Sequence, residues 1–299
     1  MTTAAPTLPP ELSVDGDGGV PGRARRRGWR RHAVLIGGSL IVLYPIVWMV
    51  SASFRPVHEI FGNSGLWSEA FGVSNYVDGW TGIPRASFAR FFLNSFIVSG
   101  AAVLGNIVSC SMAAYAFARL RFRGRTLMFA IMLVTIMLPY HVLVIPQYVL
   151  FNTVGWVDTF LPLIVPKILA TDSFFIFLMV QFIRGIPSDL DEAARIDGCS
   201  PFKIYRYVIL PLARPALVTT AIFTFIWTWN DFFSQIIYLQ NVNNYTVPLG
   251  LRLFLDSTGL SSFGAMLAMG VLSLLPLIAI FLFFQRLIVE GIATSGLKG

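Results

Sequence analysis

Six long apolar runs are the feature that most constrains how this chain can fold. They cover residues 34–54, 91–118, 127–151, 160–183, 210–233 and 262–285. The first run holds no charged residue, and at 1.5 Å per residue its helix is about 31 Å long, the thickness of a bilayer core. With 56% hydrophobic and only 12% charged residues, the composition is far from that of a soluble domain. The sequence therefore predicts an all-α membrane protein with six transmembrane helices.

The basic residues indicate which side of the membrane each loop faces. If the N-terminus is cytosolic, 17 of the 22 Lys and Arg residues fall in cytosolic segments. The other five lie outside or near a span end: Arg55, Arg85, Arg90, Lys167 and Arg252. Because Lys and Arg accumulate in cytosolic loops, we predict that both termini are cytosolic.

Residues 1–22 are rich in Pro, Gly and small polar residues, and six arginines follow between positions 23 and 31. We expect a disordered basic tail over 1–32. A signal peptide is disfavoured, because the apolar run that follows is about 20 residues long and lacks an obvious cleavage pattern. A nucleic-acid role is also disfavoured, since these arginines precede a span, where they contact anionic lipid headgroups.

The predicted organisation has four parts. The tail is followed by a first transmembrane helix with an extracytoplasmic loop over 33–90. A permease-like transmembrane domain covers 91–285, and a cytosolic C-terminal tail covers 286–299.

A polar segment between the fourth and fifth spans, residues 185–211, predicts a short helix, a sharp turn and a second helix. Ser188 is a natural N-cap residue, and Asp191 stands three positions later as in a weak capping box. Asp189 also suits the positive end of the helix dipole.

The end of this first helix carries an equally specific pattern. Gly198 stands where a left-handed residue terminates a helix. Ser200 then caps a second helix whose first position is Pro201.

The first helix of the segment is about ten residues long, too short to be stable alone in water. One side offers mainly small apolar residues, namely Leu190, Ala193, Ala194 and Ile196, while Asp189 and Glu192 make the other side acidic. The helix must pack either on a partner protein or on its own bundle, and the sequence leaves both possibilities open. A DNA-reading helix-turn-helix is disfavoured, because a loop tethered between two spans cannot lie along a groove.

This segment resembles the EAA loop, EAA-x3-G-x9-I-x-LP, of the permease subunits of ABC importers. The matching residues are Glu192, Ala193, Ala194 and Gly198, followed by Val208, Ile209, Leu210 and Pro211. Residues 229–233, 245–250 and 285–299 are similar to the carbohydrate branch of that family, and the last stretch resembles the MalG-like second permease of maltose-type systems.

The resemblance implies a type I importer permease in the cell membrane that binds no cofactor itself. Its implied partners are a MalF-like first permease, a MalK-like ATPase dimer that binds ATP and Mg, and an extracytoplasmic solute-binding protein. The residues implied in ATPase coupling are Ser188, Asp189, Leu190, Glu192, Ala193, Ala194, Asp197, Gly198, Ser200 and Pro201. The implied cargo is a sugar or oligosaccharide, with glycerol-3-phosphate or another polar solute as the alternative.

Several polar and aromatic groups fall within or near the spans. Asn230 and Asp231 could accept hydrogen bonds from sugar hydroxyls, and Trp227 and Trp229 could stack on a sugar ring. Alternatively, these residues belong to the solvated interface and its aromatic belt. No phosphate-binding loop, HExxH or GxSxG motif occurs in the sequence, so we expect no enzymatic activity. A secondary transporter, which would call for internal repeats, is the less favoured alternative.

Overall fold

The computed structural model of the chain describes residues 22–62, 65–68, 70–83, 86–256 and 262–296. Side chains are described in these ranges except at 22–28, 30, 256 and 286–296. The described residues form helices and connecting segments without any β-strand. The predicted all-α fold is therefore confirmed.

Fifteen α-helices are found among the described residues. They are α1 Gly22–Ser53, α2 Val57–Gly62, α3 Ser74–Thr81, α4 Phe88–Arg119, α5 Arg125–Ile136, α6 Tyr140–Thr153, α7 Leu161–Ile168, α8 Ser173–Arg184, α9 Asp189–Ile196, α10 Pro201–Ile204, α11 Leu210–Leu212, α12 Arg214–Asn230, α13 Phe233–Tyr238, α14 Val247–Asp256 and α15 Phe263–Gly296. A π-helix, Tyr205–Ile209, joins α10 to α11, and a 3-10 turn, Val242–Asn244, precedes α14. The chain divides into two compact units, Met1–Trp48 and Met49–Gly299.

Four of the predicted spans are helical stretches long and apolar enough to cross a membrane. They are Arg31–Ser53, Phe88–Arg119, Leu161–Arg184 and Phe263–Gln285. The other two are bent. In predicted span 127–151, helices α5 and α6 meet at an angle of 103°. In predicted span 210–233, the chain bends by 76° between Leu212 and Arg214. Counting each bent pair as one span, the described residues provide the six that the sequence predicts.

Both bends lie where a proline removes a backbone donor. A helix running straight from α5 into α6 would need the Pro139 N–H to bond the Thr135 carbonyl, and proline has none. In the same way, Pro215 in the first turn of α12 cannot bond the Pro211 carbonyl. Proline alone does not force a break, however, since Pro146 lies inside α6.

Helices continue into both segments that the sequence predicts to be tails. Residues 22–32, expected to belong to a disordered tail, begin α1, while residues 1–21 lie outside the described part of the chain. At the other end, α15 continues as a helix to Gly296, through most of the expected tail 286–299. Both helices thus extend past the apolar runs from which the spans were predicted.

Helix α4 is the central element of the second unit and packs along α7, α8, α12 and α14. Gly105 allows α7 to come close, because a Cβ atom there would lie 2.8 Å from the Ile168 Cγ1 atom. Buried polar residues of α4 fix its other neighbours. Near its beginning, the Asn94 amide donates to the carbonyls of Asn243 and Tyr245, at 2.9 and 2.8 Å.

The stretch 245–250 matters for this packing because it ends in a glycine. A Cβ atom at Gly250 would lie 2.2 Å from the Phe91 Cδ2 atom, and Phe91 is fully buried. Only a residue without a side chain lets α14 approach α4 this closely.

We predict that Gly250→Ala destabilises the protein by about 1–3 kcal/mol, because the added methyl group overpacks the Phe91 contact. Gly270→Ala in α15 is the matched control: its Cβ would meet no atom within 4 Å, and alanine favours a helix over glycine. Thermal unfolding of the purified protein in detergent measures both. Equal melting temperatures for the two variants would contradict the packing described.

Candidate functional site

Helix α9 of segment 185–211 ends as its sequence predicts. Gly198 has a left-handed backbone, with φ of 77°. Its N–H donates to the Arg195 carbonyl at 3.0 Å, and the Cys199 N–H donates to the Ala194 carbonyl at 2.9 Å. This pair of hydrogen bonds is the Schellman motif, in which a glycine reverses the chain at the end of a helix.

The start of α9 differs from the prediction. Ser188 occupies the N-cap position, but its backbone is helical and its side chain makes no capping hydrogen bond. Asp191 is also not part of a capping box. It is buried, and its Oδ2 atom lies 3.1 Å from the Nε atom of Arg119 at the end of α4. The ion pair therefore replaces the local cap that the sequence suggested.

The second helix of the segment begins as predicted and is firmly anchored. The Ser200 hydroxyl accepts a hydrogen bond from the Lys203 N–H at 3.4 Å, with Pro201 at the first helical position. Ile204 and Ile209 are each 1% exposed. They pack in one apolar cluster with residues of α4 and α8.

The apolar face of α9, in contrast, is covered only in part by the described residues. Ala194 packs against the apolar cluster formed with α4 and α8. Leu190 is 42% exposed and Ile196 is 86% exposed, and Glu192 also faces outward. Of the two possibilities left open by the sequence, packing on its own bundle accounts for Ala194 but leaves Leu190 and Ile196 exposed. The segment thus has a buried side and a free side, and the free side is both apolar and acidic.

A cavity of about 780 Å³ lies between the spans. Its lining includes Val98 of α4 and residues of α5, α6, α7, α8, α12 and α13. Three of the four predicted pathway residues line it: Trp227, Asn230 and Asp231. The side chains of the two polar residues also hydrogen-bond to nearby main-chain groups. Asn230 donates to the Ile226 carbonyl, and Asp231 accepts from the Ser234 N–H.

Trp229 does not share this cavity, so the prediction of a sugar-stacking ring at this position is wrong for this structure. Its side chain is 2% exposed. The ring stacks on Phe225 at a centroid distance of 5.3 Å, and its Nε1 donates to the Ser273 carbonyl at 3.2 Å. The ring is thus part of the helix core.

Two ionisable residues that interrupt the fourth apolar run also line the cavity, where Lys167 and Asp172 form an ion pair of 2.8 Å. The Asn106 amide of α4 donates to the same carboxylate and to the Thr224 hydroxyl. Sequence reasoning missed Asn106, and it also missed Gln147 on the cavity wall. The available signal for both was a polar amide within an otherwise apolar run.

The geometry can be compared with known proteins. The family model described as "Binding-protein-dependent transport system inner membrane component" matches residues 105–294, well over half of the chain. The chain belongs to this family. It is therefore a multi-pass membrane subunit of an ABC transport system and not an enzyme, since ATP hydrolysis resides in a separate subunit.

Individual relatives cover nearly the whole chain. The trehalose/maltose transport system permease protein MalG of Thermococcus litoralis is 33% identical over 90% of this chain and 98% of its own length. The trehalose transport system permease protein SugB of Mycobacterium tuberculosis is 33% identical over 93% of this chain and 100% of its own. A solved bacterial ABC transporter involved in alginate import matches with a TM-score of 0.77 at 23% identity, over 90% of this chain and 99% of that one. The last similarity shows that the fold is shared.

We expect Gly198→Val to loosen the segment, because a β-branched residue at positive φ costs about 1–2 kcal/mol. Gly198→Asn is the matched control, since asparagine tolerates the left-handed region and a Cβ atom at this position meets nothing within 4 Å. Hydrogen–deuterium exchange over 189–204 should quicken in the valine variant and stay close to wild type in the asparagine variant. Equal exchange in both would show that the turn does not hold the segment.

Proposed function

We propose that this chain is the permease subunit of an ABC importer that moves a neutral sugar or oligosaccharide across the membrane. The observation that carries the proposal is helix α9, which is held to the bundle from one side while Leu190, Glu192 and Ile196 stay exposed. A short helix with an unpartnered apolar and acidic face suits a cleft in a partner protein. That partner is the ATPase dimer, and the docking residues are those from Ser188 to Pro201 named from the sequence.

Further partners and the membrane topology belong to the same proposal. A second permease subunit completes the pathway, and an extracytoplasmic binding protein delivers the cargo. Both termini and segment 185–211 face the cytosol, as the distribution of basic residues indicates. ATP and Mg are bound by the ATPase and not by this chain.

The nature of the cargo is supported by the relatives and by the cavity. The two relatives quoted above carry names of trehalose and maltose systems. A cavity of about 780 Å³ is within the usual range for small-ligand sites, roughly 300–1,000 Å³. The lining carries the carboxylates of Asp172 and Asp231 against the ammonium group of Lys167, which is paired with Asp172. Together with amide groups and the half-exposed ring of Trp227, this set suits hydroxyl groups and a sugar face better than a phosphate. It therefore favours a sugar over glycerol-3-phosphate.

Docking is tested by reversing one exposed charge. We predict that Glu192→Lys weakens the association with the ATPase by at least about tenfold, because it places a cation where the partner faces an acid. Asp78→Lys, on the exposed surface of α3, is the matched control and should leave association unchanged. Copurification of the ATPase with each variant from membranes gives the readout. Wild-type copurification with Glu192→Lys would contradict docking through this face.

Cargo is tested with the complete transporter in vesicles. Trehalose, maltose and glycerol-3-phosphate serve as probes, each supplied with the cognate binding protein and internal ATP. We predict ATP-dependent uptake of one of the disaccharides and none of glycerol-3-phosphate. Uptake of glycerol-3-phosphate alone would overturn the assignment of a neutral sugar.

A further inference from the structure

Three side chains of α4 contact segment 185–211, called the docking segment from here on, and they lie on one face of the helix. Ser111, Tyr115 and Arg119 are spaced four residues apart, which aligns them along α4. We infer that these residues form a ladder that makes α4 the element through which movement of the segment is passed to the cavity. This inference rests on the proposed function of the segment.

The first rung of the ladder is the ion pair between Arg119 and Asp191, whose side chains are 11% and 6% exposed. The Arg119 guanidinium also donates to the carbonyl of Ile186, ahead of α9. The other oxygen of the Asp191 carboxylate has no hydrogen-bond partner among the described residues. Arg119 is therefore the group that compensates the buried charge, and it contacts the segment at both Asp191 and Ile186.

The remaining rungs are hydroxyl contacts to the second helix of the segment. The Tyr115 hydroxyl donates to the Pro201 carbonyl at 3.0 Å. The Ser111 and Tyr205 hydroxyls share a hydrogen bond of 2.7 Å, and the Tyr115 and Tyr205 rings lie 5.4 Å apart. The ladder thus spans both helices of the segment, from Ile186 to Tyr205.

The covalent routes out of the segment are less direct. Towards α12 the chain passes through the π-helix Tyr205–Ile209 and then the 76° bend. Towards α8 it passes through residues 185–188, which are not helical. Helix α4, in contrast, runs unbroken from Phe88 to Arg119. Coupling between distant sites is carried by packed side chains, hydrogen bonds and rigid secondary elements, and of these three routes only the one through α4 is a continuous helix.

The far end of α4 reaches the cavity. Val98 lines it and lies 21 residues before Arg119, about 32 Å along the helix. Asn106, between the two, holds both Asp172 on the cavity wall and Thr224 of α12. A displacement of the segment would therefore move α4 together with α7, α8 and α12. Arg119, Tyr115 and Ser111 are positioning residues in this scheme, because they act through the helix and not on the cargo.

The ladder is tested in the complete transporter reconstituted in vesicles with its ATPase and binding protein. Asp191→Asn removes the ion pair, and Tyr115→Phe combined with Tyr205→Phe removes two hydroxyl contacts while keeping both rings. Asp78→Asn on the exposed surface of α3 is the control. The readout is sugar uptake per ATP hydrolysed, since a merely structural defect lowers both quantities together and leaves their ratio unchanged.

We expect both ladder variants to retain the ATPase and to hydrolyse ATP. Their sugar uptake per ATP hydrolysed should fall by at least about fivefold, the lower end of the effects that coupling between sites typically has. A ratio equal to that of wild type in both would overturn the ladder while leaving docking intact. If Asp191→Asn fails to assemble, the double tyrosine variant decides: a reduced ratio supports the ladder and a wild-type ratio overturns it. A wild-type chain that retains no ATPase would contradict the proposed function and this inference with it.

Discussion

The ion pair between Arg119 and Asp191 is the interaction on which the geometry of the docking segment depends. A buried carboxylate is costly unless a cation compensates it, and removing one partner of such a pair costs about 3–5 kcal/mol. The pair joins residues 72 positions apart in sequence, so it can form only when α4 and α8 are packed correctly. In return it fixes the orientation of α9, whose eight residues could not hold a helix alone. The exposed face of α9 is thus set by a contact on its opposite side.

Helix α4 carries further contacts of this kind along its length. It contacts segment 185–211, then Asp172 ahead of α8 and Thr224 of α12 through Asn106, then the turn before α14 through Asn94. Small residues and buried amides make these contacts possible inside a membrane, where close packing and interhelical hydrogen bonds replace the hydrophobic effect. The wall formed by α5 and α6 packs less closely on α4. Among the described residues it meets α4 through single side chains, such as the Phe129 ring 5.5 Å from that of Phe117, and not along the length of the helix. The cavity therefore lies between a tightly packed group of helices and a less tightly attached pair.

Much of this fold was predictable because its signals are local. Span length and apolarity are properties of consecutive residues, and so are the glycine and proline patterns at Gly198 and Pro201. The bends were not predictable, since Pro146 is tolerated in a helix while Pro139 ends one. Asp191 was read as part of a cap because its true partner is distant in sequence. Trp227 and Trp229 were considered together as possible stacking rings, and only the three-dimensional packing separates two rings on opposite sides of one helix.

If α4 transmits the movement of segment 185–211, the two move as one body against α5 and α6. Spin labels placed at Tyr207, Leu104 and Ile145, all exposed, report the two relevant distances by pulsed electron resonance in the complete transporter. We predict that the distance between 207 and 104 is the same with and without ATP, while the distance between 104 and 145 changes. A change in the first distance with the second constant would contradict this prediction.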